Sequence, residues 1–166
     1  MMNIRDATED DLAQIQSIYA YHVLHGTGSF ENIPPSLEEV ARRFQANQKA
    51  GFTWVVAEDE GRVSGFGYYG HFRDRRAYDH TVEDSVYVRE DVIGQGVGKA
   101  IVAILVKAAT TAGFKQMLSM IGDAENTASI GVHASLGFQH IGTMHKVGFK
   151  FDRWLDVVIM QKTLQP

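Results

Sequence analysis

A chain of 166 residues with 45% hydrophobic and 22% charged side chains has the makeup of one ordinary globular domain, large enough to bury a core unaided. Its formal charge of −4 supplies no basic field for nucleic acid, no apolar run reaches membrane-span length, and the acidic, mixed N-terminus MMNIRDATEDDL is unlike a signal or transit peptide, so a cytoplasmic protein with no membrane partner is expected. The absence of cysteine excludes disulfides, thiolate metal ligands and a cysteine nucleophile together.

Along the chain, NIRDA reads as a first strand. Thr8 with Asp11 resembles a capping box for a helix carrying Leu12, Ile15, Ile18 and Tyr19 at helical spacing. HGTGSFENIPPS, with two glycines and adjacent prolines, is a loop. Ser36 and Glu39 form a second capping box, opening a helix with Leu37, Val40, Ala41 and Phe44 on one face that stops before Gly51. FTWVVAE and RVSGFGYYG are β-rich runs joined by DEGR, a hairpin signal, and the arginine-rich loop HFRDRRAYDH leads into a strand TVEDSVYV.

A glycine cluster, IGQGVGKA, follows, and then a helix from about Gly98 to Ala112 ended by Gly113. KQMLSMI is a strand, NTASIGVHASLGF a short helix with Asn126 near its start, and QHIGTMHKV with WLDVVIMQKTL an antiparallel pair. The resulting order, β-α-α-β-β-β-α-β-α-β-β, is a mixed α/β pattern, neither regularly doubly wound nor all-β.

The glycine cluster fits neither common phosphate motif. A dinucleotide fingerprint needs G-x-G-x-x-G, whereas Gly94, Gly96 and Gly98 run G-x-G-x-G with Lys99 at the third position. A P-loop needs glycine where Ile93 stands and a hydroxyl residue where Ala100 follows the lysine. What remains is their shared physics: a glycine turn at a helix N-terminus directs backbone N–H groups and the positive helix end at a phosphate or pyrophosphate.

Three separated stretches, AYDHTVEDSVYV, NTASIGVHASLGF and VGFKFDRWLDVVIMQ, together with the GVGKAIVAIL helix entry, resemble the GNAT superfamily of acyl-CoA N-acyltransferases, and within it the phosphinothricin and methionine sulfoximine N-acetyltransferase branch. The resemblance covers essentially the whole chain as one domain, residues 1–166. It implies an α/β (α+β) fold with a mostly antiparallel sheet splayed between strands four and five. It also implies acetyl-CoA as co-substrate without a metal, a small amino-acid-like acceptor, direct attack in a ternary complex, and a homodimer.

Carried over residue by residue, the resemblance assigns the pyrophosphate cradle to Ile93, Gly94, Gln95, Gly96, Val97, Gly98 and Lys99. Ile93 departs from the Arg or Gln usual at that position. Val86, Tyr87 and Val88 would pair through their backbone with the pantetheine arm, and Asn126 and Ser129 would contact the coenzyme. Glu83 matches the general base, and His133 stands where many members carry a tyrosine that protonates the leaving thiolate. Phe30, Glu31, Arg73, Arg75 and Tyr78, with Glu83, would form the acceptor pocket, an arginine fork suiting a carboxylate or phosphinate. Lys150, Trp154 and Asp156 fall in a stretch that shapes the pocket or a dimer contact. Two other readings share the sequence: a GNAT enzyme for a protein N-terminus or polyamine, and a non-catalytic acyl-CoA sensor.

Overall fold

A computed structural model describes residues 1–166, and its element order follows the sequence pattern. The strands are β1 (Asn3–Asp6), β2 (Trp54–Asp59), β3 (Arg62–His71), β4 (Thr81–Val88), β5 (Gln116–Gly122), β6 (Gln139–Lys150) and β7 (Arg153–Thr163). The helices are α1 (Leu12–His25), α2 (Leu37–Lys49), α3 (Val97–Thr111) and α4 (Thr127–Ser135). The seven strands form one sheet in the order β1-β2-β3-β4-β5-β7-β6, antiparallel everywhere except at β4–β5. No helix is long and apolar enough to cross a membrane.

The helix entries show what the capping signals do. The Thr8 N–H donates to Asp11 Oδ2 at 2.8 Å, but the turn it closes is a short 3₁₀ segment, and α1 begins only at Leu12. The Asp11 carboxylate is buried, with the Arg5 guanidinium at 2.8 and 2.9 Å as its counter-charge. At α2 half the box forms: the Glu39 N–H donates to Ser36 Oγ at 3.1 Å, while the Glu39 carboxylate turns to Arg42 and Arg43.

Two cores lie on opposite faces of the sheet. Leu12, Ile15 and Ile18 of α1 and Val40 and Phe44 of α2 pack with Trp54, Val56 and Phe66 on one face. Ile101, Leu105 and Ala109 of α3 pack with Val55, Val82, Met117 and Met160 on the other. Each fully buried Leu, Ile or Phe contributes about 1.5–3 kcal/mol, so both helical layers are held by their apolar stripes. The β6–β7 hairpin is longer than its two apolar runs suggest. It turns at Phe151 and Asp152, both in the left-handed region with φ of 52° and 56°, where glycine or asparagine would be the usual signal.

Candidate active site

The parallel pairing of β4 with β5 covers only Thr81, Val82 and Glu83, opposite Gln116, Met117 and Leu118. On its other edge β4 stays paired with β3 as far as Val88 opposite Gly65. Beyond Glu83 the two parallel strands therefore diverge, and a cleft of about 1480 Å³ opens between them. The Arg89 N–H bonds Ser64 O on the β3 side at 2.9 Å, whereas His80 O accepts from Lys115 on the β5 side. Strand alternation then turns the backbone groups of Asp84, Val86 and Val88 into the gap. The Val86 backbone groups and the Val88 N–H are thus left open in the splay, as an added strand-like ligand requires, while the Val88 carbonyl accepts from His22.

Alternation also sorts the side chains of β4. Asp84, Val86 and Val88 lie on the α3–α4 face, Val86 and Val88 packing against its core, while Tyr87 packs on the α1–α2 side against Tyr19, His22 and Phe66. Glu83 shares the Tyr87 face and lines the cleft. Burial, with Asp84 next to it, raises the Glu83 carboxyl from 4.5 to about 6, against the opposing pull of Arg73. A carboxyl titrating there is ionised at neutral pH yet basic enough to take a proton.

At the cleft mouth, Gly94 and Gly96 have φ of 85° and 84°, a backbone that only glycine adopts without strain. They turn the chain into α3, whose first-turn N–H groups, at Val97, Gly98 and Lys99, have no partner one turn back. Ile93, Gly94, Gly96, Val97, Gly98 and Lys99 line the cleft, Val97 with its side chain buried against the core, and Gln95 lies outside the lining. Across the gap, beyond the end of β5, Asn126 caps α4 by accepting the Ser129 N–H at 3.3 Å, and both residues line the cleft.

His133, on α4, is buried to 1% exposure. Its Nδ1 donates to Ser129 O at 2.7 Å, while Nε2 lies 2.7 Å from Asp84 Oδ2 and 3.0 Å from Ser119 Oγ. Burial opposes charge on the ring, but the Asp84 hydrogen bond and charge prevail and raise its pKa. Asp84 and Ser119 were not singled out from the sequence. Their signal was present in the alternation: a carboxylate and a hydroxyl each occupy a core-facing strand position.

On the α1–α2 side, Phe30, Glu31 and Arg73 reach the cleft. The Arg43 guanidinium grips Glu31 at 2.8 and 3.0 Å, and the Tyr19 hydroxyl donates to it, holding its carboxyl below the usual range. Glu31 is therefore a wall whose charge is already paired. Arg75 and Tyr78 do not line the cleft. A 3₁₀ turn at Arg76–Tyr78 carries the chain outward, so Arg75 donates to Asp74 O at 2.8 Å and Tyr78 packs edge-on against Phe72. Of the loop arginines, only Arg73 faces the site.

Further residues fix the 26–31 loop. Buried Lys150 donates to Gly26 O at 2.8 Å and Ser29 O at 2.7 Å, and burial lowers its pKa. Thr27 donates to Asp123, which holds Arg153 and adopts φ 76°. The Phe30 ring sits in a slot left by Gly122 and Gly148, where an added Cβ would lie 2.9 Å or less from ring carbons. His22 Nε2 donates to Val88 O at 2.7 Å at the edge of the gap. Trp154 is exposed against Phe149, and Asp156 accepts the Lys146 N–H, so both stand outside the cleft lining.

Comparison with known proteins places this geometry. A family model described as an acetyltransferase (GNAT) domain matches residues 4–159. A phosphinothricin N-acetyltransferase of Alcaligenes faecalis is 44% identical over 161 residues, covering 97% of this chain and 82% of that protein. An L-methionine sulfoximine/L-methionine sulfone acetyltransferase of Pseudomonas aeruginosa is 39% identical over 165 residues, covering 99% and 95%. The crystal structure of a GNAT superfamily phosphinothricin acetyltransferase from Sinorhizobium meliloti, in complex with AcCoA, superposes with a TM-score of 0.96 at 44% identity, over 98% of this chain and 88% of that one. The splayed sheet, the glycine turn and these likenesses together establish that the chain belongs to the GNAT acetyltransferase family.

Proposed function

We propose that this protein transfers acetyl from acetyl-CoA to the α-amino group of a small amino acid or analogue of the phosphinothricin, methionine sulfoximine or methionine sulfone type. The observation that carries the reading is Glu83: a carboxyl raised to about 6, placed where β4–β5 pairing ends and on the face shared with Arg73. Relatives named for these acceptors, 44% and 39% identical over nearly the whole chain, support the substrate class.

The residues suit the two reactants from opposite faces. The turn from Gly94 to Lys99 offers backbone donors and a cation to a pyrophosphate, and Val86 and Val88 offer a strand edge to the pantetheine amides. The Val88 N–H, directed into the gap, is the donor for the oxygen that becomes negative as the amine attacks. Arg73 takes the acceptor's acid group in a bidentate grip, leaving the amine toward Glu83.

The chemistry then runs by direct attack. An α-ammonium group titrates near ~8, so at neutral pH Glu83 takes its first proton. The nitrogen attacks the thioester carbon, the C–S bond breaks with its electron pair on sulfur, and His133 supplies the thiol proton. The second amine proton returns the ring to its starting state. No cysteine is present for an acyl-enzyme. A cytoplasmic location belongs to the same reading.

The same reading includes a homodimer. Phe149 and Trp154 pair across the β6–β7 hairpin and stand exposed with Phe151 and Val147 at the sheet edge, an apolar surface suited to a second copy. Sedimentation at micromolar concentration measures it; a monomer there removes this part.

The deciding experiment is a panel of amino acids, analogues, polyamines and a peptide N-terminus with acetyl-CoA, followed by free thiol release. Turnover confined to amino acids or analogues carrying a free acid group is expected. Acetyl-CoA binding without turnover on any acceptor would mark a sensor.

A further inference from the structure

We propose that Asp84 is the positioning residue of His133, holding its ring as an imidazolium so that a proton stands ready for the departing thiolate. The inference deepens the acetyl-transfer reading and rests on it for its role, though not for its geometry.

Donor and acceptor counting leads to it. A backbone carbonyl only accepts, so the 2.7 Å contact from His133 Nδ1 to Ser129 O requires a proton on Nδ1. With Asp84 as a carboxylate, which likewise only accepts, the 2.7 Å contact between Nε2 and Asp84 Oδ2 takes a proton on Nε2 too. With both nitrogens donating, the ring is a cation. Asp84 and His133 side chains are each 1% exposed, and the second Asp84 oxygen, Oδ1, has no hydrogen-bond partner, so the pair has only itself for charge balance. The groups packed on the ring are Asp84 from β4, Ser119 from β5, the Ser129 carbonyl within α4 and the edge of Phe138, and Asp84 is the one charged group among them.

The arrangement differs from a serine-nucleophile triad. There a ring nitrogen is free to take the serine proton, with the carboxylate on the other nitrogen. Here Asp84 and Ser119 share Nε2, and neither nitrogen is free. Ser119, which lines the cleft, is instead the path outward: its hydroxyl gives a proton to sulfur and takes one from Nε2. His133 is left neutral with Nδ1–H, Asp84 keeps its charge, and the second amine proton recharges the ring through solvent.

The test reads the protonation state directly. In the full ¹⁵N-labelled chain at pH 7.5, with His133 assigned by its loss in His133→Gln, two ring N–H protons and imidazolium nitrogen shifts are expected. Asp84→Asn, which replaces one oxygen by a donor of the same shape, should leave a neutral ring with one N–H. In kinetics, Asp84→Asn should move the alkaline limb of kcat to lower pH by about one unit or more, with the KM for acetyl-CoA changed by no more than about twofold. A neutral His133 in the unmodified chain, an unchanged ring charge in Asp84→Asn, or a uniform loss of kcat without a moved limb would each overturn the inference. The spectra stand whether or not any amino acid is a substrate, so an acceptor panel that fails counts against the function alone.

Discussion

Replacing Glu83 by glutamine keeps the side chain's size and removes its proton affinity, and the structure fixes how the loss should vary with pH. With Glu83 titrating at about 6, the carboxylate is about 90% ionised at pH 7, while an α-amine titrating near ~8 is about 90% protonated. The unmodified enzyme therefore works on the ammonium form, and its kcat/KM should lie on a plateau between about pH 6 and 8. It should fall tenfold per unit below that. Glu83→Gln must wait for the neutral amine, about one molecule in ten at pH 7. Adding the lost base, kcat/KM at pH 7 should drop by roughly 10²–10⁴, and the gap should narrow about tenfold between pH 7 and 8. Thiol release at saturating acetyl-CoA, measured from pH 5.5 to 9, gives the profile. The KM for acetyl-CoA should not change, because Glu83 lies on the β4 face opposite α3. Parallel profiles for the two proteins, at any offset, would remove Glu83 as the base.

The same substitution has a stability consequence of opposite sign. A carboxyl raised on folding is one the folded state prefers protonated. It therefore costs stability above its folded value of about 6, and this cost disappears below its ordinary value of 4.5. The full shift corresponds to ~2 kcal/mol, which partial solvent access reduces to about 1. Glu83→Gln should therefore be more stable by about 1 kcal/mol in urea at pH 7.5 and no different at pH 4, provided both proteins remain folded there. Equal stability at both pH values would show that the site does not strain this carboxyl.

Gly96→Val should raise the KM for acetyl-CoA at least tenfold and cost about 1–3 kcal/mol in urea, since a β-branched residue is forced to φ 84° at a position lining the cleft that the proposed cradle occupies. Normal kinetics would refute the cradle. Arg73→Ala should raise the acceptor KM by about 10²-fold, whereas Arg75→Ala should leave it within about twofold, because only Arg73 lines the cleft. Equal effects would mean that the loop moves on binding. Gly148→Ala should drive the Phe30 ring from its slot and change the acceptor KM while sparing that for acetyl-CoA, a split read from initial rates. An unchanged acceptor KM would show that Phe30 does not shape the pocket.

Much of the fold was legible because each element announces itself locally. Alternation in TVEDSVYV marks β4 with its observed ends, and helical spacing from Ile101 to Leu105 marks α3. What escaped was set by partners distant in sequence. The Phe151–Asp152 turn has no glycine signal, since the long ladder of β6 on β7 imposes it. The sequence leaves Lys150 open between core and surface, and its role is set by the carbonyls of Gly26 and Ser29, more than a hundred positions earlier, which its ammonium reaches. Arg73 and Arg75 are equivalent in a string of letters, and only the 3₁₀ turn at Arg76 separates them. The polar partners of His133 escaped for a related reason. Asp84 reads as a neighbour of Glu83, although in a strand adjacent residues face opposite ways.

That opposition gives the site its design. A single strand supplies three directions: odd side chains toward α1 and α2, even side chains toward α3 and α4, and, beyond Glu83, even backbone groups in the plane of the sheet. Glu83 faces the side where Arg73 waits, Asp84 faces the side where His133 is held, and Val86 and Val88 address the gap between. In the proposed reaction, proton removal by Glu83 and the Asp84–His133 pair that readies proton delivery are thereby separated by the thickness of one sheet, although Glu83 and Asp84 are adjacent in the chain. Two carboxylates on the same face would compete for a proton and for Arg73; on opposite faces each acquires its own counter-charge, and Asp84 only raises its neighbour further. A one-residue slip of β4 against β3 would exchange the two faces and abolish both functions at once. The continuous β3–β4 ladder down to Gly65 and Val88 is therefore what holds the proposed roles of Glu83 and Asp84 on their separate faces.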